Sequence, residues 1–159
     1  MKIESIMHLA FYTDRMDEMI RFYTEVLPGK VKVLTRYKAY LDRDDRPLQQ
    51  QIARKDPEAI FNVYVELCPG QFLELFPKRE GQTQDLVSDS HLGYAHFALL
   101  TDDIEAFRRQ MEEKGVKADT DISKGPSGTY QLWYHDPDGN RFEVMQFTKD
   151  SYQVKGHID

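Results

Sequence analysis

The chain has 159 residues, with 21 Lys+Arg against 27 Asp+Glu, 40% hydrophobic and 30% charged residues, and a single Cys. That balance gives one globular domain, or two half-size modules sharing a core, and excludes intrinsic disorder. A formal charge of -6 with no compensating run of Lys and Arg excludes nucleic acid as a partner, and one Cys excludes an internal disulfide.

No stretch approaches the ~18 apolar residues of a membrane span, and MKIESIMHLAFYTDRMDEM lacks the basic start and apolar core of a signal peptide. The expected setting is reducing and cytoplasmic, with no membrane partner. Residues 5–13, SIMHLAFYT, read as a strand ending at Asp14, which stands where a helix N-cap would be. Met16, Met19, Ile20, Tyr23 and Leu27 then recur at spacings of three and four, the apolar stripe of an amphipathic helix that Pro28-Gly29 ends. Strands follow at 31–41 and 61–68, separated by a polar insertion, 41–60, that could be partly helical. Pro69-Gly70 turns the chain into a strand over 71–76, and the polar segment 77–92 reads as a linker.

The same grammar then returns. GYAHFALLT (93–101) is a strand, and Asp102 stands at a second N-cap position. Ile104, Phe107, Met111 and Lys114 with Gly115 mark a helix and its stop. VKADT, TYQLWYHD and RFEVMQF are strands, with turns at KGPSG and DPDGN, and 149–159 is a tail.

Sliding the chain by 88 residues aligns His8 with His96, Ala10 with Ala98, Thr13 with Thr101, Asp14 with Asp102, Arg21 with Arg109 and Glu25 with Glu113. A slide of 69 aligns Gly70 and Glu74 with Gly139 and Glu143. The shifts differ by 19 residues, the extra length that the 41–60 insertion adds, so the expected architecture is α+β: two βαβββ modules, 1–76 and 93–148, forming curved mixed sheets.

Each module is thereby expected to carry a His in the middle of its first strand and a Glu in the middle of its last: His8 and Glu74, His96 and Glu143. In each Glu strand the flanking residues, Leu73 and Leu75 or Phe142 and Val144, point to the opposite face. A carboxylate placed among apolar neighbours costs several kcal/mol unless it is paired. Two imidazoles and two carboxylates at repeat-equivalent positions suit a divalent ion such as Zn, Ni, Co, Mn or Fe, with room for one or two waters, an open, catalytic kind of site. Other candidates read as structural: His135 as a surface turn residue, His91 and His157 as linker and tail, and Cys68 as a packed thiol.

The duplicated module, the strand-borne His8 and His96, the ELF end of the first half and DPDGNRFEV (136–144) resemble the vicinal oxygen chelate superfamily. It includes glyoxalase I, fosfomycin resistance enzymes, extradiol dioxygenases, methylmalonyl-CoA epimerase and bleomycin-binding proteins. The His-Glu-His-Glu order is similar to bacterial glyoxalase I, the lactoylglutathione lyase type. That resemblance implies His8, Glu74, His96 and Glu143 as ligands of one divalent transition metal per site, Ni, Co or Zn. It implies proton transfer through a metal-bound enediolate of a 2-oxoaldehyde-thiol hemithioacetal or related small molecule, with Glu143 as base and Glu74 on the other side of the intermediate, roles that can interchange with substrate stereochemistry. It also implies a homodimer. A CoA-ester epimerase, whose pattern has Gln in place of Glu74, and a non-catalytic small-molecule-binding protein are the alternatives. Where glutathione-using enzymes carry an Arg and an Asn, this chain has Tyr12 and Lys78. Lys78 and Arg79 offer cations for a different anionic substrate.

Overall fold

The structure, a computed structural model, describes residues 2–83 and 93–158. The 84–92 part of the expected linker, His91 included, lies outside the described residues. The chain divides into two compact units, Met1–Thr83 and Gln84–Asp159, each taken by itself below.

In the first unit, β1 (His8–Thr13) leads into α1 (Met16–Arg21), which tightens into a π-helical turn over Phe22–Val26. Next come β2 (Lys30–Arg36), a 3-10 turn (Tyr37–Tyr40), α2 (Pro47–Lys55), β3 (Ile60–Cys68) and β4 (Gln71–Pro77). The strands form one sheet in the order β1-β4-β3-β2, with β1 parallel to β4 and the other pairs antiparallel. The second unit repeats it: β5 (Phe97–Leu100), α3 (Ile104–Glu113), β6 (Ser123–Lys124), β7 (Tyr130–His135) and β8 (Arg141–Gln146), ordered β5-β8-β7-β6 with β5 parallel to β8. A short helix, α4 (Tyr152–Lys155), stands in the tail. The α+β architecture of two four-stranded mixed sheets is as expected.

Strand alternation decides what each sheet face carries. In the first unit Val63, Val65, Leu73 and Leu75 are buried on one face, as are Met19, Tyr23 and Leu27 of the helical segment. That leaves Asn62, Tyr64 and Glu66 of β3, and Phe72, Glu74 and Phe76 of β4, to the opposite face. The second unit buries Ile104, Met111, Leu132, Tyr134, Phe142 and Val144 in the same way. At Gly29 a side chain would collide with the Tyr23 carbonyl oxygen and approach Val65 Cγ1 to 2.8 Å, so the helix exit requires glycine for space. Gly139 is required for conformation: its φ of 82° closes the DPDGN turn. There Asp136 Oδ1 accepts from the amides of Asp138 and Asn140 at 3.0 and 2.9 Å.

Several local expectations are corrected. Arg15, not Asp14, occupies the N-cap position of α1, and no side chain caps that helix. Thr13 Oγ1 accepts from the Arg15 amide at 2.9 Å, and Asp14 faces Lys78 at 3.4 Å. In α3 the cap is Asp103, one residue after Asp102, and it accepts from the Ala106 amide at 2.8 Å. β2 ends at Arg36 rather than at Leu41, because the amides of Tyr37 and Lys38 turn to the carbonyls of Ala59 and Pro57. VKADT is not a strand. Only the Asp119 amide bonds to the Trp133 carbonyl, at 2.8 Å, and the edge strand is Ser123–Lys124. Cys68 is exposed at the end of β3 rather than packed.

Tyr134 is fully buried, and its hydroxyl has no hydrogen-bond partner among the described residues. Burial pushes this phenol up to about 12, with Glu112 raising it further and Arg108 opposing. An unfolded tyrosine ionises near ~10. The raised folded value therefore contributes stability that is complete below pH 10 and is lost as pH rises through about 12. Tyr134→Phe, which removes a buried unsatisfied hydroxyl, is expected to stabilise the neutral protein by about 1 kcal/mol. It should also remove part of the alkaline loss, as denaturant melts at pH 7 and pH 11 would show.

A repeated histidine-glutamate pair as the candidate metal centre

Parallel pairing of the first and last strand of each unit brings a His beside a Glu. In the first unit β1 lies along β4 with Ala10 opposite Glu74, and His8 Nε2 stands 3.3 Å from Glu74 Oε2. In the second unit Ala98 lies opposite Glu143, and His96 Nε2 stands 3.7 Å from Glu143 Oε2. Both carboxylates are 6% exposed, whereas the His side chains are 38% and 39% exposed. A buried acid thus stands beside a half-open imidazole in both units alike. The two His residues stand at the strand start rather than the middle. His8 is the first residue of β1, and His96 immediately precedes β5.

The surroundings of the two acids differ. Asn62 Nδ2 donates to Glu74 Oε1 at 2.6 Å. The Tyr64 hydroxyl, pushed up to about 12 by burial and by its hydrogen bond to Glu74, bonds the same carboxylate. Both donors sit on β3, where Tyr64 is directly opposite Glu74, and the Tyr64 ring stands edge-on to His8 at 5.7 Å. In the second unit the residue opposite Glu143 is Trp133, which packs edge-on against His96 at 4.7 Å and has the Arg141 guanidinium over its ring at 4.7 Å. Among the described residues no hydrogen-bond donor reaches Glu143. Burial pushes its carboxyl above the usual range, and His96 pulls it partly back.

Sequence reasoning named Tyr64 as a possible pocket residue but missed its bond to Glu74, and it missed Asn62 altogether. A plain count back from the Pro69-Gly70 turn pairs Val65 with Glu74; the register shift between Glu66 and Cys68 instead sets Tyr64 opposite Glu74 and Asn62 on the same face, two residues along.

The donors fit a divalent transition metal on chemistry and on spacing. Two ligands at ~2.1 Å from a tetrahedral ion lie about 3.4 Å apart, and the two His-Glu separations are 3.3 and 3.7 Å. Among the described residues no group of three or more His, Cys, Asp or Glu side chains stands together, and each unit shows a single His-Glu pair. His135 is exposed and bonds Asp119 at 2.8 Å, and His157 stacks on Tyr152 at 3.9 Å. Neither joins a donor group.

The sequence matches the family model of the Glyoxalase/Bleomycin resistance protein/Dioxygenase superfamily over residues 5–144. The chain belongs to this superfamily. Solved structures of the same fold include a lactoylglutathione lyase from Agrobacterium tumefaciens, 22% identical, with 92% of this chain and 96% of that one aligned at a TM-score of 0.61. A glyoxalase family protein from Enterococcus faecalis is 20% identical, covering 89% and 97% at a TM-score of 0.66. TioX from Micromonospora sp. ML1 is 10% identical, covering 91% and 100% at 0.60. At these identities the likeness is one of fold. No curated protein matches. Among the described residues, no helix of this superfamily member is long and apolar enough to cross a membrane.

Proposed function

We propose that the protein is a metal-dependent, glyoxalase I-like lyase or isomerase, acting as a cytoplasmic homodimer on a small substrate with two adjacent oxygens. The observation that carries this reading is the repeated pair, a 6%-exposed Glu beside a half-open His in each unit. His8, Glu74, His96 and Glu143 would hold one divalent ion, Ni, Co or Zn, which when bound supplies Lewis acidity to polarise the substrate's vicinal oxygens.

The chain's own residues divide the remaining work. Asn62 and Tyr64 hold Glu74 from two sides, which fixes its orientation. Glu143 has no such restraint, and burial raises its proton affinity. It is the carboxylate suited to take a proton from the carbon α to a carbonyl, keep it out of water and return it to the neighbouring carbon. Trp133 and His96 cover it.

The departures from a glutathione site bear on the substrate. Tyr12 lies under the Arg79 guanidinium, 5.0 Å from its ring centroid, and Lys78 is engaged by Asp14 at 3.4 Å. Metal-loaded protein is therefore expected to turn over the hemithioacetal of methylglyoxal and glutathione poorly or with a high KM, and another thiol or anionic substrate better. A panel of thiol hemithioacetals, branched acyl-CoA esters and phosphosugars tests this. Glutathione-adduct kcat/KM within the ordinary range of about 10⁴–10⁸ M⁻¹s⁻¹ would restore plain lactoylglutathione lyase activity, and silence across the panel would favour a binding protein.

A further inference from the structure

We propose that the sheet face carrying His8 and Glu74 continues into a subsite, formed by Tyr12, Tyr37, Tyr40, Phe61, Phe76 and Arg79, that takes a flat aromatic group bearing an anion at the non-reacting end of the substrate. The inference rests on the proposed chemistry only for where the reacting end lies.

The rings form a continuous wall within the first unit. Tyr12 stands opposite Phe76 in the β1-β4 register, two residues on from the Ala10-Glu74 position, which places the pair roughly 7 Å along the sheet from Glu74. Their rings lie 5.6 Å apart. Phe61 stands edge-on to Phe76 at 5.7 Å, and Tyr37 and Tyr40 close on Phe61 at 5.5 and 4.7 Å. Tyr12 is 44% exposed, and Ala10, between it and His8, is small and exposed, so the surface between Glu74 and the wall is open. Edge-on and tilted neighbours leave ring faces and edges available to another aromatic group.

The wall ends in a cation. Arg79 lies over the Tyr12 ring at 5.0 Å, and burial pushes the Tyr37 hydroxyl up while the Arg79 charge pulls it back, so the guanidinium is felt across the cluster. Its neighbour Lys78 is paired with Asp14, but among the described residues Arg79 has no carboxylate partner in a chain whose formal charge is -6. A planar, weakly hydrated guanidinium held over a tyrosine ring is suited to a carboxylate or phosphate on an arene.

The insertion of the first unit supports this wall. The Tyr37–Tyr40 turn is held by the Tyr37 and Lys38 amides on the Ala59 and Pro57 carbonyls. Lys38 Nζ lies 3.1 Å from Glu58, and Gln50 Nε2 on α2 donates to the Leu41 carbonyl at 2.9 Å. The second unit is 19 residues shorter between the aligned positions. The extra length is thereby assigned to presenting two tyrosines beside one of the two His-Glu pairs.

Calorimetric titration with three 2-hydroxy acids tests the subsite. Lactate carries only the vicinal oxygens, mandelate adds the ring, and 4-carboxymandelate adds the remote anion. Metal-loaded protein is expected to bind them progressively tighter, by roughly threefold to tenfold per step. Arg79→Met should collapse the 4-carboxymandelate to mandelate ratio toward one, and the Tyr37→Leu, Tyr40→Leu double variant should collapse the mandelate to lactate ratio. Because the double variant can fail to fold, the surface substitution at Arg79 carries the decision, with circular dichroism confirming its fold. Equal binding of all three acids, or an unchanged ratio in Arg79→Met, overturns the subsite while leaving the proposed chemistry standing. Tight 4-carboxymandelate binding without measurable lactate binding or proton exchange overturns the chemistry and supports the subsite. Failure of all three acids to bind overturns both.

Discussion

Glu143→Gln is expected to lower the rate of proton exchange α to a substrate carbonyl by roughly two to four orders of magnitude, the range for loss of a general base. The amide keeps an oxygen able to ligate a metal, and it is nearly isosteric at a site only 6% exposed. Metal affinity should therefore fall only modestly while exchange is lost. The matching change on the other side, Glu74→Gln, is expected to act differently. Glu74 already accepts from Asn62 and from Tyr64, and an amide there would turn an N–H toward one of those donors. Its main expected effect is on binding and positioning. Proton exchange followed by NMR in D₂O, with metal content measured on the same samples, separates the two. Equal losses of exchange for the two variants at equal metal content would show that the asymmetry of their surroundings does not assign the base.

His96→Ala and Glu143→Ala are each expected to weaken metal binding well beyond the roughly 10–100-fold that loss of a supporting residue costs. Each removes one of the four proposed donors and leaves the other member of the His96-Glu143 pair without it. Asn62→Leu keeps all four proposed donors and removes only the 2.6 Å bond that orients Glu74. It should fall within that roughly 10–100-fold range. Competitive titration of stripped protein with a colorimetric chelator would rank the variants. An Asn62→Leu loss as large as that of His96→Ala would mean that folding around Glu74, rather than ligation, sets the affinity.

Much of the fold was legible because duplication doubles every signal. The His8/His96 and Glu74/Glu143 alignments located both ends of each module, and the apolar alternation of β4 and β8 told which face each Glu takes. Boundaries were less legible where one side chain does the work of another. Thr13 and Thr101 each accept from the backbone amide two residues on, so the acid expected as cap was displaced by one residue in each unit. β2 is shorter than its composition suggests because Tyr37, Tyr40 and Leu41 continue the strand-like residues past Arg36, whereas the chain there bonds to the insertion instead. The support of Glu74 was hidden because Asn62 is a common surface residue whose importance comes only from hairpin register. The aromatic wall was hidden because Tyr37 and Tyr40 read as strand residues and belong to a turn.

Elemental analysis of the purified protein tests the central claim most directly. The account predicts close to one divalent transition-metal ion per chain, removed by a chelator together with all proton-exchange activity, and absent from the His8→Ala, His96→Ala double variant. Full metal occupancy in that double variant, or undiminished exchange in the chelator-stripped protein, would contradict it.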